Sequence, residues 1–278
     1  MLSGFYSSAV QAQVQVIDDT GRRILLAQPA QRIISLAPHV TEVLFSAGAG
    51  AKVVGVVSYS DYPPEAANLP LVGSYDRLDL EQILALKPDL IIGWKSGNPQ
   101  AALLQLQQLN IPIYLSEPRS FADIASNLER FGTLAGTTEA ATQQAQQFVD
   151  DLAALRSRYQ NSPEVSVFYQ VWKEPLMTFN GDHLFNRVLQ LCGGRNLFVD
   201  LPRLASSVDI EAVLKADPEV IIVGESNRAW IEDWRRWVTL RSVRTDRLYA
   251  LNQDVLVRPT IRILEGVRQV CAVLQPQR

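Results

Sequence analysis

Large aromatic residues recur where predicted strands or helices give way to loops. Their rings offer broad, rigid apolar faces, and tyrosine and tryptophan add a polar tip. Residues at the carboxyl ends of parallel strands line the crevice of an open α/β sheet, so these rings are suited to a large planar or ring-shaped ligand. Each ring alone could simply pack beneath its own loop, but five at loop junctions favour a shared cleft. They are Tyr59, Tyr62, Tyr75, Trp94 and Trp172.

Two charged residues near the end of the chain could add polar anchors to such a site. Asp254 and Arg258 lie in the segment NQDVLVRP, within residues 252–259, which we predict to be a loop. Either residue could hydrogen-bond the polar periphery of a ligand. The alternative is that the two charges form a salt bridge with each other.

The sequence offers little for catalysis or metal binding. The chain has two histidines, His39 and His183, and carboxylates that would complete a triad or a metal site cannot be placed. Residues 48–53 begin like a dinucleotide fingerprint, but they lack the third glycine and follow a predicted helix rather than a strand. Phosphate-loop, nucleophile-elbow and HExxH motifs are also missing from the sequence. We therefore predict a protein that is not an enzyme and has no resident cofactor or metal; a rival enzyme would show perturbed carboxylates in the cleft.

The elements that must position these residues follow from an internal repeat. The segment LDLEQILALKPDLIIGW at residues 78–94 aligns without a gap with VDIEAVLKADPEVIIVG at residues 208–224. In each copy an N-capping aspartate, Asp79 or Asp209, precedes apolar residues at helical spacing. Pro88 or Pro218 then separates the helix from a short apolar strand. One helix–Pro–strand unit in each half predicts two lobes of similar build, with a site between them.

The domain organisation follows from this repeat and from one long helical segment. Residues 138–160 contain neither Pro nor Gly and are rich in good helix formers. We predict an α/β fold of two lobes, residues 13–137 and 161–278, with mainly parallel sheets flanked by helices and joined by this rigid helix. An ordinary long surface helix is the alternative. Residues 38–41 are predicted to form a turn before a helix.

The composition restricts the kinds of partner and the cellular compartment that we expect. A net charge of −3 without a Lys/Arg cluster argues against nucleic-acid binding, and no apolar run is long enough to span a membrane. Two cysteines, Cys192 and Cys271, fit one disulfide in an oxidising compartment, with two buried free thiols as the alternative. Residues 1–12 are interpreted as the remnant of a signal peptide, or else as a disordered tail.

Several segments together carry a resemblance to a known family. They are RIISLAPHVTEVLFSAG, VVSYSDYPP, LDLEQILALKPDLIIGW, VLQLCGGRNLF and RILEGVRQVCAVL, which span residues 32–274. The chain resembles the periplasmic cobalamin-binding proteins of vitamin B12 ABC importers. These belong to the helical-backbone, or class III, periplasmic binding proteins, which also carry haem and ferric siderophores.

The resemblance implies a set of ligand contacts. Tyr75 stands where the family often has Trp, and Trp172 lies beside another contact position. Ala205 stands where a relative has a pocket Trp. His39 replaces an expected small residue and is interpreted as a solvent-facing turn histidine. The positions that match family contacts are Tyr59, Tyr75, Trp94, Asp254 and Arg258.

The resemblance also implies a function and partners. We expect a monomeric periplasmic protein that captures cobalamin between two lobes and delivers it to an ABC permease dimer with its ATPase subunits. Glu81 and Glu211 match the glutamates that dock on arginines of the permease, although both could merely complement helix dipoles. Haem or ferric-siderophore binding is the alternative within the same fold.

Overall fold

The computed structural model describes residues 13–74 and 76–275. Two compact units make up this part of the chain. The first comprises the described residues up to Glu117 together with Ser126–Ala145, and the second comprises Pro118–Ala125 and the described residues from Gln146 onward. Among the helices of the described residues, none combines the length and the apolar character needed to span a membrane. The predicted signal remnant at residues 1–12 lies outside the described residues.

The first unit alternates strands and helices after an N-terminal hairpin. Short 3₁₀ helices occur at Gly50–Lys52 and Pro64–Asn68. The strands are β1 (Val14–Ile17), β2 (Arg23–Leu26), β3 (Ile33–Ser35), β4 (Val53–Val56), β5 (Gly73–Ser74), β6 (Arg77–Leu78), β7 (Leu90–Trp94) and β8 (Ile113–Ser116). The helices are α1 (Pro38–Ser46), α2 (Leu80–Ala85) and α3 (Gln100–Gln108). Helices α4 (Phe121–Ala135) and α5 (Thr138–Tyr159) each have residues in both units.

The second unit repeats the alternation. A 3₁₀ turn occupies Glu225–Asn227. Its strands are β9 (Val165–Gln170), β10 (Met177–Phe179), β11 (Gly194–Asn196), β12 (Ala205–Ser207), β13 (Val220–Gly224) and β14 (Leu248–Leu251). Its helices are α6 (Leu184–Leu191), α7 (Ile210–Ala216), α8 (Trp230–Arg235), α9 (Arg241–Arg244), α10 (Gln253–Val257) and α11 (Ile263–Leu274).

The central sheets of the two units have the same strand order. In the first unit the order is β4-β3-β7-β8, and in the second it is β11-β9-β13-β14; all neighbours are parallel. Numbered along the chain within each sheet, both read 2-1-3-4. The order reverses between the first and third strands, which is where open α/β sheets bind ligands. The predicted α/β class with mainly parallel sheets is confirmed.

Burial on both sheet faces explains the apolar runs of the repeat. In the second unit Val167 and Ile222 belong to one core cluster, whereas Phe168 and Ile221 belong to another on the opposite face. Since neighbouring residues of a strand point to opposite faces, both faces must be covered. The result is the uninterrupted burial of β13.

The two copies of the repeat fold alike but are capped differently. The Asp79 side chain accepts a hydrogen bond of 3.0 Å from the Gln82 backbone N–H, as predicted. Asp209 occupies the equivalent N-cap position without a side-chain capping bond, so that part of the prediction is wrong. Both helices end before the proline, through left-handed residues: Lys87 has φ 47° and Asp217 has φ 45°.

Two local predictions are corrected by the structure. Residues 38–41 are the first turn of α1 rather than a turn before it, since Pro38 lacks an N–H and is tolerated at the first helical position. Residues 252–259 include the short helix α10. Asn252 caps it by accepting the Asp254 N–H at 3.0 Å.

The predicted disulfide is present in the second unit. Cys192 and Cys271 are bonded and lie 79 positions apart in the chain. Both are buried, with Cys192 directly after α6 and Cys271 in α11. The bond therefore ties two helices of the same core cluster.

Candidate functional site

Ring-bearing residues of the first unit lie at the carboxyl edge of its sheet. Trp94 is the last residue of β7, and Tyr59 is the third residue after β4. Both strands flank β3, so their carboxyl ends lie roughly 10 Å apart, twice the spacing of neighbouring strands. The sequence prediction that these two residues share one edge agrees with the topology.

Tyr59 is presented to solvent by an unusual backbone conformation. Its side chain is 69% exposed and its φ is +65°, a region that a residue with a Cβ rarely occupies. Hydrogen bonds hold the residues on both sides of Tyr59: the Ser58 backbone N–H donates to Gly73 O at 2.9 Å, and the buried Ser60 hydroxyl accepts from Thr41 Oγ1 at 3.1 Å. A conformation fixed in this way, with the ring exposed, is typical of a functional position.

Trp94 is held by the loop that follows it. Asn98 is buried; its Oδ1 accepts the Trp94 N–H at 2.6 Å, and its Nδ2 donates to Leu36 O at 2.8 Å. Gly97 lies against the indole, because a Cβ there would come within 1.9 Å of the ring atom Cε3. The ring is partly exposed. Gly97 and Asn98 are supporting residues that the sequence analysis missed, although the G-N pair after Trp94 could have indicated them.

His39 is not the solvent-facing turn residue that we predicted. It is 4% exposed, lies in α1, and its ring stands nearly perpendicular to that of Trp94, with centroids 5.5 Å apart. Its Nε2 lies 3.4 Å from Ser116 Oγ at the end of β8. The early helix start explains the error, since α1 carries His39 into the interior.

The second unit offers an exposed ring at its own carboxyl edge. Trp172 is 55% exposed and lies two residues beyond β9, where the strand has given way to a loop. Its Nε1 donates to Glu174 O at 3.1 Å, and Trp230 packs edge-on against it at 6.2 Å. Trp230 was not singled out from the sequence; its spacing to the buried Trp234 in a Trp-rich helix was the available signal.

Asp254 and Arg258 lie after β14, the strand beyond β13. Arg258 Nη2 is 3.1 Å from Asp254 Oδ1, so the alternative of a mutual salt bridge is what the structure has. The Asp254 side chain remains 38% exposed and that of Arg258 14% exposed. Burial raises the pKa of Tyr169 well above its ordinary value, and the negative charge of Asp254 adds to that rise. An ion pair at this edge can still offer a carboxylate oxygen to a ligand.

Three further residues were singled out from the sequence: Tyr75, Tyr62 and Ala205. Tyr75 lies outside the described residues. Tyr62 is 41% exposed in the loop after Tyr59. Ala205 is partly buried in β12, which pairs with β10 outside the central sheet.

Glu81 and Glu211 occupy matching places in the two units. Each is the second residue of its helix, α2 or α7, and each is exposed. Their contribution to the helix dipole is compatible with a role in recognition. The carboxylates lie beside the N-caps Asp79 and Asp209.

His183 caps helix α6, so its ring has a structural role. Its Nδ1 accepts the Phe185 N–H at 3.1 Å, and its ring stacks on Phe179 at 3.5 Å. Burial lowers the pKa of His183 to about 4, and the positive charge of Arg119 acts in the same direction. The capping bond requires the neutral ring, which this low pKa preserves.

The two units share one strand order, and aromatic rings and an ion pair lie at the carboxyl edges of their sheets. These features define an α/β binding protein of two units. A family model described as periplasmic binding protein matches residues 33–255. The chain belongs to the periplasmic binding protein family.

Two individual relatives of this chain are named for vitamin B12 binding. The chain is 42% identical over 254 residues to a vitamin B12-binding protein of Vibrio cholerae serotype O1, covering 90% of this chain and 92% of that one. It is 40% identical over 247 residues to a vitamin B12-binding protein of Yersinia pestis, covering 89% and 87%.

Solved structures agree on the fold. The crystal structure of the periplasmic vitamin B12 binding protein BtuF of Vibrio cholerae superposes with a TM-score of 0.84 at 42% identity, covering 88% of this chain and 97% of that one. The periplasmic haem-binding protein RhuT from Roseiflexus has a TM-score of 0.79 at 24% identity, covering 88% and 98%. At that identity the likeness to RhuT bears on the fold alone.

Proposed function

We propose that this protein captures vitamin B12 and delivers it to the permease of an ABC importer. The observation that carries the proposal is the presence of aromatic rings that are exposed, Tyr59 in one unit and Trp172 in the other, or partly exposed, Trp94, at the carboxyl edges of two sheets with the same strand order. The relatives of about 40% identity are named for vitamin B12 binding.

The chemistry of these residues suits cobalamin. Its corrin is a large, nearly flat ring, against which Trp94, Tyr59 and Trp172 can lay apolar faces. Asp254 and Arg258 would hydrogen-bond its peripheral amides. Tyr75, next to the Gly73–Ser74 strand, is proposed as a further contact.

The alternative, haem or ferric-siderophore binding, has less support in the residues. Haem iron is commonly held by His or Tyr. His39 is buried beside Trp94, and His183 caps a helix, so neither histidine faces a ligand. The exposed Tyr59 could hold haem iron, and the titration below tests that possibility. A siderophore would favour several converging arginines, and Arg258 already pairs with Asp254.

Titration of the purified chain separates these candidates. We expect saturable binding of cyanocobalamin with one ligand per chain by calorimetry, and no comparable absorbance change with haemin. Tight haemin binding together with no heat from cyanocobalamin would replace the proposal with its alternative.

We further propose that Glu81 and Glu211 dock the loaded protein on basic residues of the permease dimer. Charge pairs at a rim act mostly on specificity and association rate, so the interaction should weaken as salt rises. The exposed positions and the matching places in the two units support this role.

A matched control separates docking from helix capping. Glu139 is also the second residue of its helix, α5, and is exposed, so Glu139→Ala should reproduce the dipole loss of a few tenths to ~1 kcal/mol. The double variant Glu81→Ala, Glu211→Ala should bind cobalamin normally and lose transport in vesicles reconstituted with the permease and its ATPase subunits. Normal uptake by the double variant would reduce both glutamates to helix starters.

The remaining parts of the proposal concern the compartment, the oligomeric state and the kind of activity. The protein is proposed to work in the periplasm as a monomer, as a carrier rather than an enzyme, without a resident cofactor and without nucleic-acid partners. The lobes at residues 13–137 and 161–278 and the connecting helix at 138–160 stay predictions.

A further inference from the structure

A histidine inside the first unit stands directly behind the proposed ligand-stacking tryptophan. His39 follows β3 and Trp94 ends β7, the neighbouring strand, and the strand order of this sheet reverses between these two strands. The two rings are nearly perpendicular, at 84°, with centroids 5.5 Å apart. This geometry is the favourable edge-to-face arrangement of aromatic pairs.

His39 does not itself face a ligand. It is 4% exposed, and its Nε2 lies 3.4 Å from the hydroxyl of Ser116. A histidine buried in this way can act on a ligand only through the residues that it touches. One of these is Trp94, whose ring is partly exposed.

A chain of buried polar groups continues behind His39. Ser116 Oγ accepts from Asn127 Nδ2 at 3.2 Å, and Asn127 Nδ2 also lies 3.0 Å from Asp19 Oδ2. Asp19 in turn forms an ion pair of 2.6 Å with Arg130. The N-terminal hairpin turn, helix α4 and strand β8 are therefore linked to His39 through side-chain hydrogen bonds.

Trp94 is thus held on more than one side. Gly97 lies against the indole, Asn98 fixes its backbone, and His39 supports its ring from the interior. A ring fixed before binding loses little freedom when a ligand stacks on it, which favours affinity.

We propose that His39 is a positioning residue that sets the orientation of the Trp94 indole for stacking on the corrin, and that the polar chain from Ser116 to Arg130 fixes His39. The inference rests on the proposed function. It adds a residue that makes no ligand contact but determines how a contact residue is presented.

A double-mutant cycle tests this coupling. His39→Ala should weaken cyanocobalamin binding roughly 2- to 13-fold, which corresponds to the 0.5–1.5 kcal/mol of an aromatic pair. In a Trp94→Ala background the same change should have no further effect, because the ring that His39 orients is gone. His39→Phe keeps a ring against Trp94 and should restore affinity to within about twofold of the native protein.

A readout without ligand separates failure of this inference from failure of the proposed function. In the unliganded protein His39→Ala should change the near-ultraviolet circular dichroism of the indole, and the change should disappear in the Trp94→Ala background. Phe45→Ala is the control on the same helix; Phe45 packs on Gly50 at its far end, and its loss should change neither signal in a Trp94-dependent way.

The outcomes are distinct. Equal effects of His39→Ala with and without Trp94, in affinity and in dichroism, would overturn the inference and leave His39 as a core residue. Absence of cyanocobalamin binding by the native protein would overturn the proposed function, while the dichroism would still decide whether His39 orients Trp94.

Discussion

Replacing Trp94 with alanine is expected to weaken vitamin B12 binding by about 2–4 kcal/mol, or roughly 30- to 700-fold in the dissociation constant. The partly exposed indole lies at the carboxyl edge of the first sheet, backed by Gly97 and by His39. A ligand stacking on it would therefore meet a rigid surface.

The magnitude follows from the area that the ligand can cover. Much of the ring is already buried against its own unit, so stacking would remove roughly 80 Å² of it from water, which is worth ~2 kcal/mol at 25 cal/mol/Å². The void left by truncation and the loss of a fixed ring raise the cost toward ~4 kcal/mol, as for buried anchors in interfaces.

Calorimetric titration of Trp94→Ala against Phe45→Ala provides the assay. Phe45 is a partly exposed aromatic residue of the same unit, in the last turn of the helix that begins at this edge. Its truncation should lower stability without changing affinity. Unchanged affinity in Trp94→Ala, with the protein folded, would refute the reasoning and move the site elsewhere.

Three further predictions concern stability and motion. Replacing Cys192 and Cys271 by serine removes a disulfide between residues 79 positions apart. The free energy of unfolding, measured by denaturant titration, should fall by at most ~4.5 kcal/mol. An unchanged unfolding midpoint would contradict this prediction. Burial lowers the pKa of His183 to about 4. Between pH 6.5 and pH 4 only the unfolded chain therefore binds a proton at this residue, so the free energy of unfolding decreases as the pH is lowered, by at most about 3 kcal/mol. His183→Ser, which can still cap, should show a shallower fall, and an identical pH profile would exclude this origin. If helix α5 is the rigid connector proposed, small-angle scattering should show little change in radius of gyration when cobalamin binds, and a large drop would contradict that role.

The repeat made much of the fold predictable. Residues 78–94 and 208–224 each form the predicted helix and buried strand, because helical spacing and an uninterrupted apolar run are strong local signals. Gly193, the second residue after helix α6, has a left-handed φ of 79° that favours glycine.

Features that depend on tertiary contacts could not be predicted in this way. Burial of His39 depends on β7 lying next to β3 and on β8 lying next to β7, and no local pattern encodes that neighbourhood. The sequence predicts a loop at helix α10 because its five residues are too few for a periodic signal. The aspartate at 209 shares its sequence context with Asp79, yet its backbone leaves the side chain without the capping bond.

The candidate site was predictable in its residue types and less so in its detail. Aromatic residues at strand ends indicated the edge, and the order β4-β3-β7 explains why Trp94 and Tyr59 lie along the same edge of the sheet. The exposure of Tyr59 through a left-handed backbone, and the ion pair of Asp254 with Arg258, emerge only from the folded chain.

Hydrogen–deuterium exchange with and without cyanocobalamin tests the central claim most directly. Because a bound ligand protects the backbone that it orders, we predict slower exchange in residues 58–62, 94–98, 171–176 and 252–258, which follow the carboxyl ends of strands in both units. Unchanged exchange in these segments while the ligand is bound would contradict a ligand site at the carboxyl edges of the sheets.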